Sequence, residues 1–160
     1  MRRFIRPVFV MLLTAWGVSG QKQAGLRTKP DGDEMFAAYI RQHEALSRWL
    51  DRMKQTPGVD ATAAERRHIA PLGLTVVEFH SLTPVIRPAK VELDSLQAGL
   101  ASARKSAAPG QEASAMQPLL NRRTQLIRAT SDRVKAMLPP ASWSALQAAL
   151  AGPLAQGPPR

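Results

Sequence analysis

From residue 34 onward, apolar positions recur at alternating spacings of three and four, the period of a helix face. No stretch of strand length alternates apolar and polar residues between turn signals. The first run predicts a helix from Glu34 to Gln55, with Asp33 as N-cap, Pro57 and Gly58 as stop signals, and Phe36, Tyr39, His43, Leu46, Leu50 and Met53 in one seam. A short helix from Ala61 to Ala70 follows Asp60 and ends before Pro71, with Thr62 and Glu65 at capping-box spacing. The next start is the most strongly specified. Thr75 and Glu78 stand at the two positions of a reciprocal capping box, and Leu74 and Phe79 at those of a hydrophobic staple. Behind it the seam runs through Phe79, Leu82, Ile86, Ala89, Leu93, Leu96, Leu100 and Ala103 without losing phase at Pro84 or Pro88. Both prolines project away from the seam, so one helix bent toward its partner is expected. The alternative is a second helix that starts at Thr83, with Pro84 in its first position.

Residues Ala107 to Glu112, with Pro109 and Gly110, predict a reversal. A helix from Ser114 to Met137 follows, carrying Met116, Leu119, Leu120, Leu126, Ile127, Val134 and Met137 on a broader stripe. After Pro139 and Pro140 a last amphipathic helix presents Trp143, Leu146 and Leu150, and Leu138 stands to Trp143 as Leu74 stands to Phe79. The expected fold is all-α: a small antiparallel helical bundle, or a long kinked helical hairpin with flanking short helices, over residues 34–151.

The ends read differently. Arg2, Arg3 and Arg6, then an apolar run from Val8, then Val18 and Gly20 at small-residue positions, have the order of a secretory signal peptide over residues 1–20, with Gln21 as mature start. The run is too short for a comfortable membrane span, so no stable span is expected after cleavage. Residues 21–33 read as a flexible arm and 152–160 as a loose tail. Of 22 Lys and Arg residues, 19 remain after cleavage against 12 Asp and Glu, a net charge of +7 in place of +10. The chain has no cysteine, which excludes disulfides, thiolate metal sites and a cysteine nucleophile.

Candidate chemistry is sparse. His43, His68 and His80 lie in different helices without metal-ligand spacing, and His80 and Glu78 point from different faces. His43 sits in a core seam, where it reads as a packed, half-buried histidine, with a pH-sensitive switch as the alternative. Neither a Gly-rich phosphate loop nor a nucleophile elbow occurs, and no serine or carboxylate has an orienting partner at a readable spacing. No enzyme, cofactor or metal is expected. Arg122, Arg123 and Arg128 are the candidate client- or anion-binding residues, with Glu44, Glu92 or Asp94 as alternative pairing partners of Arg123. Export and the lack of an aromatic–basic platform argue against nucleic acid as a partner.

Leu74-Thr75-Val76-Val77-Glu78 and Leu138-Pro139-Pro140-Ala141-Ser142 resemble degenerate copies of the paired LTxxQ motif of the Spy and CpxP group of periplasmic stress proteins, over roughly residues 72–150. Glu78 stands where that motif has Gln, and the second copy has neither its Thr nor its Gln. The resemblance implies kinked helical hairpins that dimerise into a shallow cradle, with ATP-independent holding of unfolded clients or a role in envelope stress. The expected function is an exported, chaperone-like binding protein of the periplasm or secreted fraction. The alternative is a basic structural or anion-binding protein of the envelope.

Overall fold

The structure, a computed structural model, describes residues 31–152, all of whose regular elements are helical. In chain order these are α1 (Gly32–Lys54), α2 (Ala61–Ile69), a single 3-10 turn (Ala70–Leu72), α3 (Val76–Ser106), α4 (Glu112–Met137) and α5 (Pro140–Ala151). The expected leader, most of the arm and the tail after Gly152 lie outside the described residues.

Helices α3 and α4 form the central antiparallel hairpin. It is closed by residues 107–111, where Gly110 takes a left-handed φ of 85°. The seam of α3 faces inward as its spacing predicts: Phe79, Leu82 and Ile86 are fully buried, and Ala89, Leu93 and Leu96 nearly so. Helix α1 packs across α3 and α4 with Tyr39, Ile40, His43 and Leu50 at the contact, α2 folds back on α1, and α5 covers the 3-10 turn and the start of α1. Burying aliphatic side chains of this size contributes about 1.5–3 kcal/mol each before the entropy of ordering them is subtracted.

Both expected helix junctions form, by different means. At α3, Glu78 N–H donates to Thr75 Oγ1 at 3.2 Å while Thr75 N–H donates to Glu78 Oε2 at 2.7 Å, and Leu74 and Phe79 are both buried. At α5 no side chain caps the start; Pro140 occupies the first turn and Leu138 is buried beneath it. Ser142 from that turn donates to Glu78 Oε1 at 2.7 Å, so one carboxylate joins the two starts.

Helix α3 runs unbroken for 31 residues through Pro84 and Pro88, and the alternative start at Thr83 is not used. Each proline removes one backbone donor, leaving the carbonyls of His80 and Pro84 without a helical partner. Both prolines are exposed, which lets water satisfy those carbonyls.

Two expectations need correction. The first helix begins at Gly32, with Asp31 in the cap position and no side-chain cap bond. Asp33 lies in the first turn instead, where its charge suits the helix dipole and Arg128 of α4 holds it. Asp60, not Thr62, caps α2 by accepting from Ala63 N–H at 3.0 Å, while Glu65 turns away to Lys54 and His80. The broad stripe expected on α4 is only partly covered: Ile127, Thr130 and Val134 are buried, whereas Leu120 is 40% and Met137 43% exposed.

Candidate functional site

That uneven burial along the hairpin has a geometric cause. Helix α1 starts beside α4 at residues 123–128, through Glu34–Arg123 and Asp33–Arg128, and runs away from the hairpin turn. Among the described residues no third helix lies over the end that carries the turn, and α1 reaches only its margin, where Arg41 Nη2 donates to Gln97 Oε1 at 3.1 Å. Between Gln97 and Arg122 no residue is fully buried, although Leu100, Met116, Leu119 and Leu120 all lie there; Leu126, beyond the Arg123–Glu34 contact, packs against the core. The two helices approach closely at Gly99, where an added Cβ would lie 3.5 Å from Leu119 Cδ1. Leu100 and Leu119 are therefore half-shielded by the hairpin itself, and Leu120 looks outward.

The charges of this end are mostly positive. Arg104, Lys105 and Arg122 accompany it, with Glu112 as its acidic residue in α4, where Glu112 accepts from Gly110 N–H at 3.0 Å and fastens the turn. Half-covered leucines and methionine beside cations make a surface able to take a polypeptide that offers apolar and acidic groups together.

The three arginines singled out by sequence are all in ion pairs. Arg122 donates from Nε and Nη2 to Glu92 Oε1 at 3.1 and 2.9 Å, across the hairpin. Arg123 makes a two-pronged contact with Glu34, at 2.7 and 2.9 Å, and its side chain is only 16% exposed. Arg128 donates to Asp33 at 2.9 Å. None of the three partners proposed for Arg123 is used. One residue further round the helix than Arg122, it faces α1 instead of α3, while Glu44 pairs with Arg48 and Arg87, and Asp94 with Lys90. The Arg123 guanidinium holds the Glu34 carboxyl below its ordinary range, and Glu34 in turn raises Arg123. Arg123 and Arg128 thus fix the first turn of α1 on α4, and Arg122, still largely exposed, borders the uncovered end.

A concavity of about 250 Å³ opens where α1, α4 and α5 meet, lined by Asp33, Met35, Phe36, Ser131, Trp143 and Leu150. This is below the roughly 300–1,000 Å³ of small-molecule and cofactor sites.

Sequence reasoning offered Glu44 only as a partner of Arg123 and missed its place between Arg48 and Arg87. It is 2% exposed within α1, where burial pushes its carboxyl up but the hydrogen bonds and charges of Arg48 and Arg87 outweigh that and hold it below its ordinary value. Arg48 four residues on was the available signal. Glu65 is likewise held down by Lys54, against burial and with help from His80. His80 therefore meets Glu65 at 3.1 Å, not Glu78, and the described residues hold no group of three His, Asp or Glu able to bind a metal ion. No single described helix is long and apolar enough to cross a membrane.

No protein-family model, curated protein or solved structure matches the chain. The likeness to the LTxxQ group therefore stands on the two helix starts alone.

Proposed function

We propose that the protein is an exported, non-enzymatic binding module that holds apolar segments of unfolded polypeptides without ATP, through the end of the α3–α4 hairpin that no third described helix covers. The observation that carries this reading is the stretch from Gln97 to Arg122, where four large apolar residues occur, Leu100, Met116, Leu119 and Leu120, and none is fully buried. A chain able to bury Phe79 and Ile127 completely has the means to cover more of its seam. The surface left open is bordered by Arg104, Lys105 and Arg122, which favours clients carrying acidic groups next to apolar ones. The basic and apolar order of residues 1–20 supports export, and the paired helix starts support kinship with the periplasmic LTxxQ group.

The experiment is suppression of aggregation of an unrelated unfolding protein, with and without Met116→Ser and Leu120→Ser. Both side chains are at least partly exposed, so the fold should persist while suppression falls several-fold. Unchanged suppression by a folded double variant would remove the hairpin end as the binding surface.

A second reading, attraction to anionic envelope components, draws on where the charge lies. Residues 31–152 hold 15 Lys and Arg against 12 Asp and Glu, a net of +3 out of the chain's +10. Most of the excess belongs to the flanking segments, including Lys22, Arg27, Lys29 and Arg160. Salt-sensitive binding to anionic vesicles by a protein inactive toward clients would favour this reading.

A further inference from the structure

His43 occupies the contact between α1 and α3 with no access to solvent. Its Nε2–H donates to the Phe79 carbonyl at 3.0 Å, and its ring lies on the Phe79 ring with centroids 4.1 Å apart and planes 24° apart. Tyr39, one turn earlier on α1, closes the pocket edge-on at 5.7 Å. The other ring nitrogen, Nδ1, is buried without a hydrogen-bond partner. The neutral ring fits this pocket, since its one N–H is satisfied. A second proton would place an orphan donor and a full charge among aromatic rings.

The charged groups around the pocket are otherwise engaged. On α1, Glu44 is held by Arg48 and by Arg87 of α3. Also on α3, His80 pairs with Glu65 of α2, which in turn takes Lys54. Among the described residues no carboxylate hydrogen-bonds the His43 ring to compensate a positive charge on it.

We propose that His43 is an acid-operated latch between α1 and α3: taking up a proton at Nδ1 expels the ring from its pocket, and α1 lifts from α3 to uncover the seam at Phe79, Leu82 and Ile86.

Burial lowers the His43 pKa from 6.5 to about 4, against the opposing pull of the Phe79 carbonyl and of Glu44. The open chain takes up its proton near 6.5 and the closed chain only near 4, so the latch is intact above about pH 6.5 and is lost as pH falls to about 4. The closed-to-open ratio then changes on the order of 100-fold between pH 7 and pH 4. The carboxylates that also tie α1 down, Glu34, Glu44 and Glu65, are all held below their ordinary range by Arg and Lys partners. They stay ionised through the upper part of this window, so the latch releases first.

The test is NMR titration of the purified protein, reading the three histidine rings from pH 7.5 to pH 3.5, with amide exchange measured at pH 7 and pH 4.5 and corrected for intrinsic rates. His43 should titrate far below an ordinary histidine, and amides of α1 and of the facing turns of α3 should lose protection while α4 keeps it. His43→Gln keeps a donor for the Phe79 carbonyl and cannot take the charge. Its urea midpoint should hold steady from pH 6.5 to pH 4.5 where that of the wild type falls. A His43 ring that titrates near 6.5 in the closed protein, loss of protection in all helices together, or a His43→Gln variant as acid-sensitive as the wild type would overturn the proposal.

Discussion

Glu78 shows how much one side chain can organise. Its carboxylate accepts from the Thr75 amide, the Thr75 hydroxyl at 2.8 Å and the Ser142 hydroxyl, so it closes the start of α3 and ties α5 to it. The Thr75 amide, then Ser142, then the Thr75 hydroxyl hold its carboxyl below the ordinary range. The stability it adds is therefore present above the usual carboxylate pKa and is lost as pH falls through the lowered one. Thr75→Ala and Glu78→Ala should each cost about 1 kcal/mol in urea unfolding, and the double variant less than their sum, because each removes the other's partner. Strict additivity would mean the two bonds do not form together. Gly73 is the other residue with a single solution. It takes a left-handed φ of 70°, and a Cβ there would overlap Ala145 Cβ and reach 3.1 Å from the Ala145 carbonyl carbon. Gly73→Ala should lower stability by about 1–3 kcal/mol from backbone strain alone, with further loss as α5 is pushed away. Trp143 fluorescence in a Trp49→Phe background should report that displacement during thermal unfolding.

At the scale of elements, α3 carries an avoidable cost. Each internal proline forgoes a backbone bond, an effect of about 3 kcal/mol in an isolated helix interior. Helix α3 stays continuous because its seam is buried on both sides of Pro84 and Pro88. Replacing both with Ala should raise the melting temperature; a fall would show that the prolines shape α3 for its packing against α1 and α4. This continuity was legible in the sequence because the spacing of Phe79, Leu82, Ile86, Ala89 and Leu93 keeps its phase across both prolines. The start at Thr75 was legible because a capping box is local. The true start of α1 was not. Asp31 makes no side-chain cap bond, and what extends the helix to Gly32 is the contact of Asp33 and Glu34 with arginines about ninety residues away. The roles of Arg122, Arg123 and Arg128 were hidden for the same reason, since ion pairs between helices depend on which neighbours the topology supplies. How far the stripe on α4 is covered was not legible, because periodicity tells which residues share a face, not whether anything covers it.

At the scale of the whole molecule, the described residues form a bundle at one end and a hairpin at the other that no third described helix covers. Its buried side chains end at Leu96 on α3 and resume at Ile127 on α4. Intact-mass measurement of protein recovered from a bacterial envelope fraction should give a mature start near Gln21; retention of Met1 on a cytoplasmic product would remove export from the account. The proposed binding surface makes a separate demand, because weak capture of unfolded chains must perturb the residues that do the capturing. The most direct measurement is an amide-resolved NMR titration of the protein with a permanently unfolded polypeptide. Binding at the uncovered hairpin end predicts shifts concentrated between Gln97 and Arg122, with Tyr39, Ile40 and Leu82 in the closed bundle unmoved. Shifts confined to the groove at Met35, Trp143 and Leu150, or none at saturating polypeptide, would contradict it.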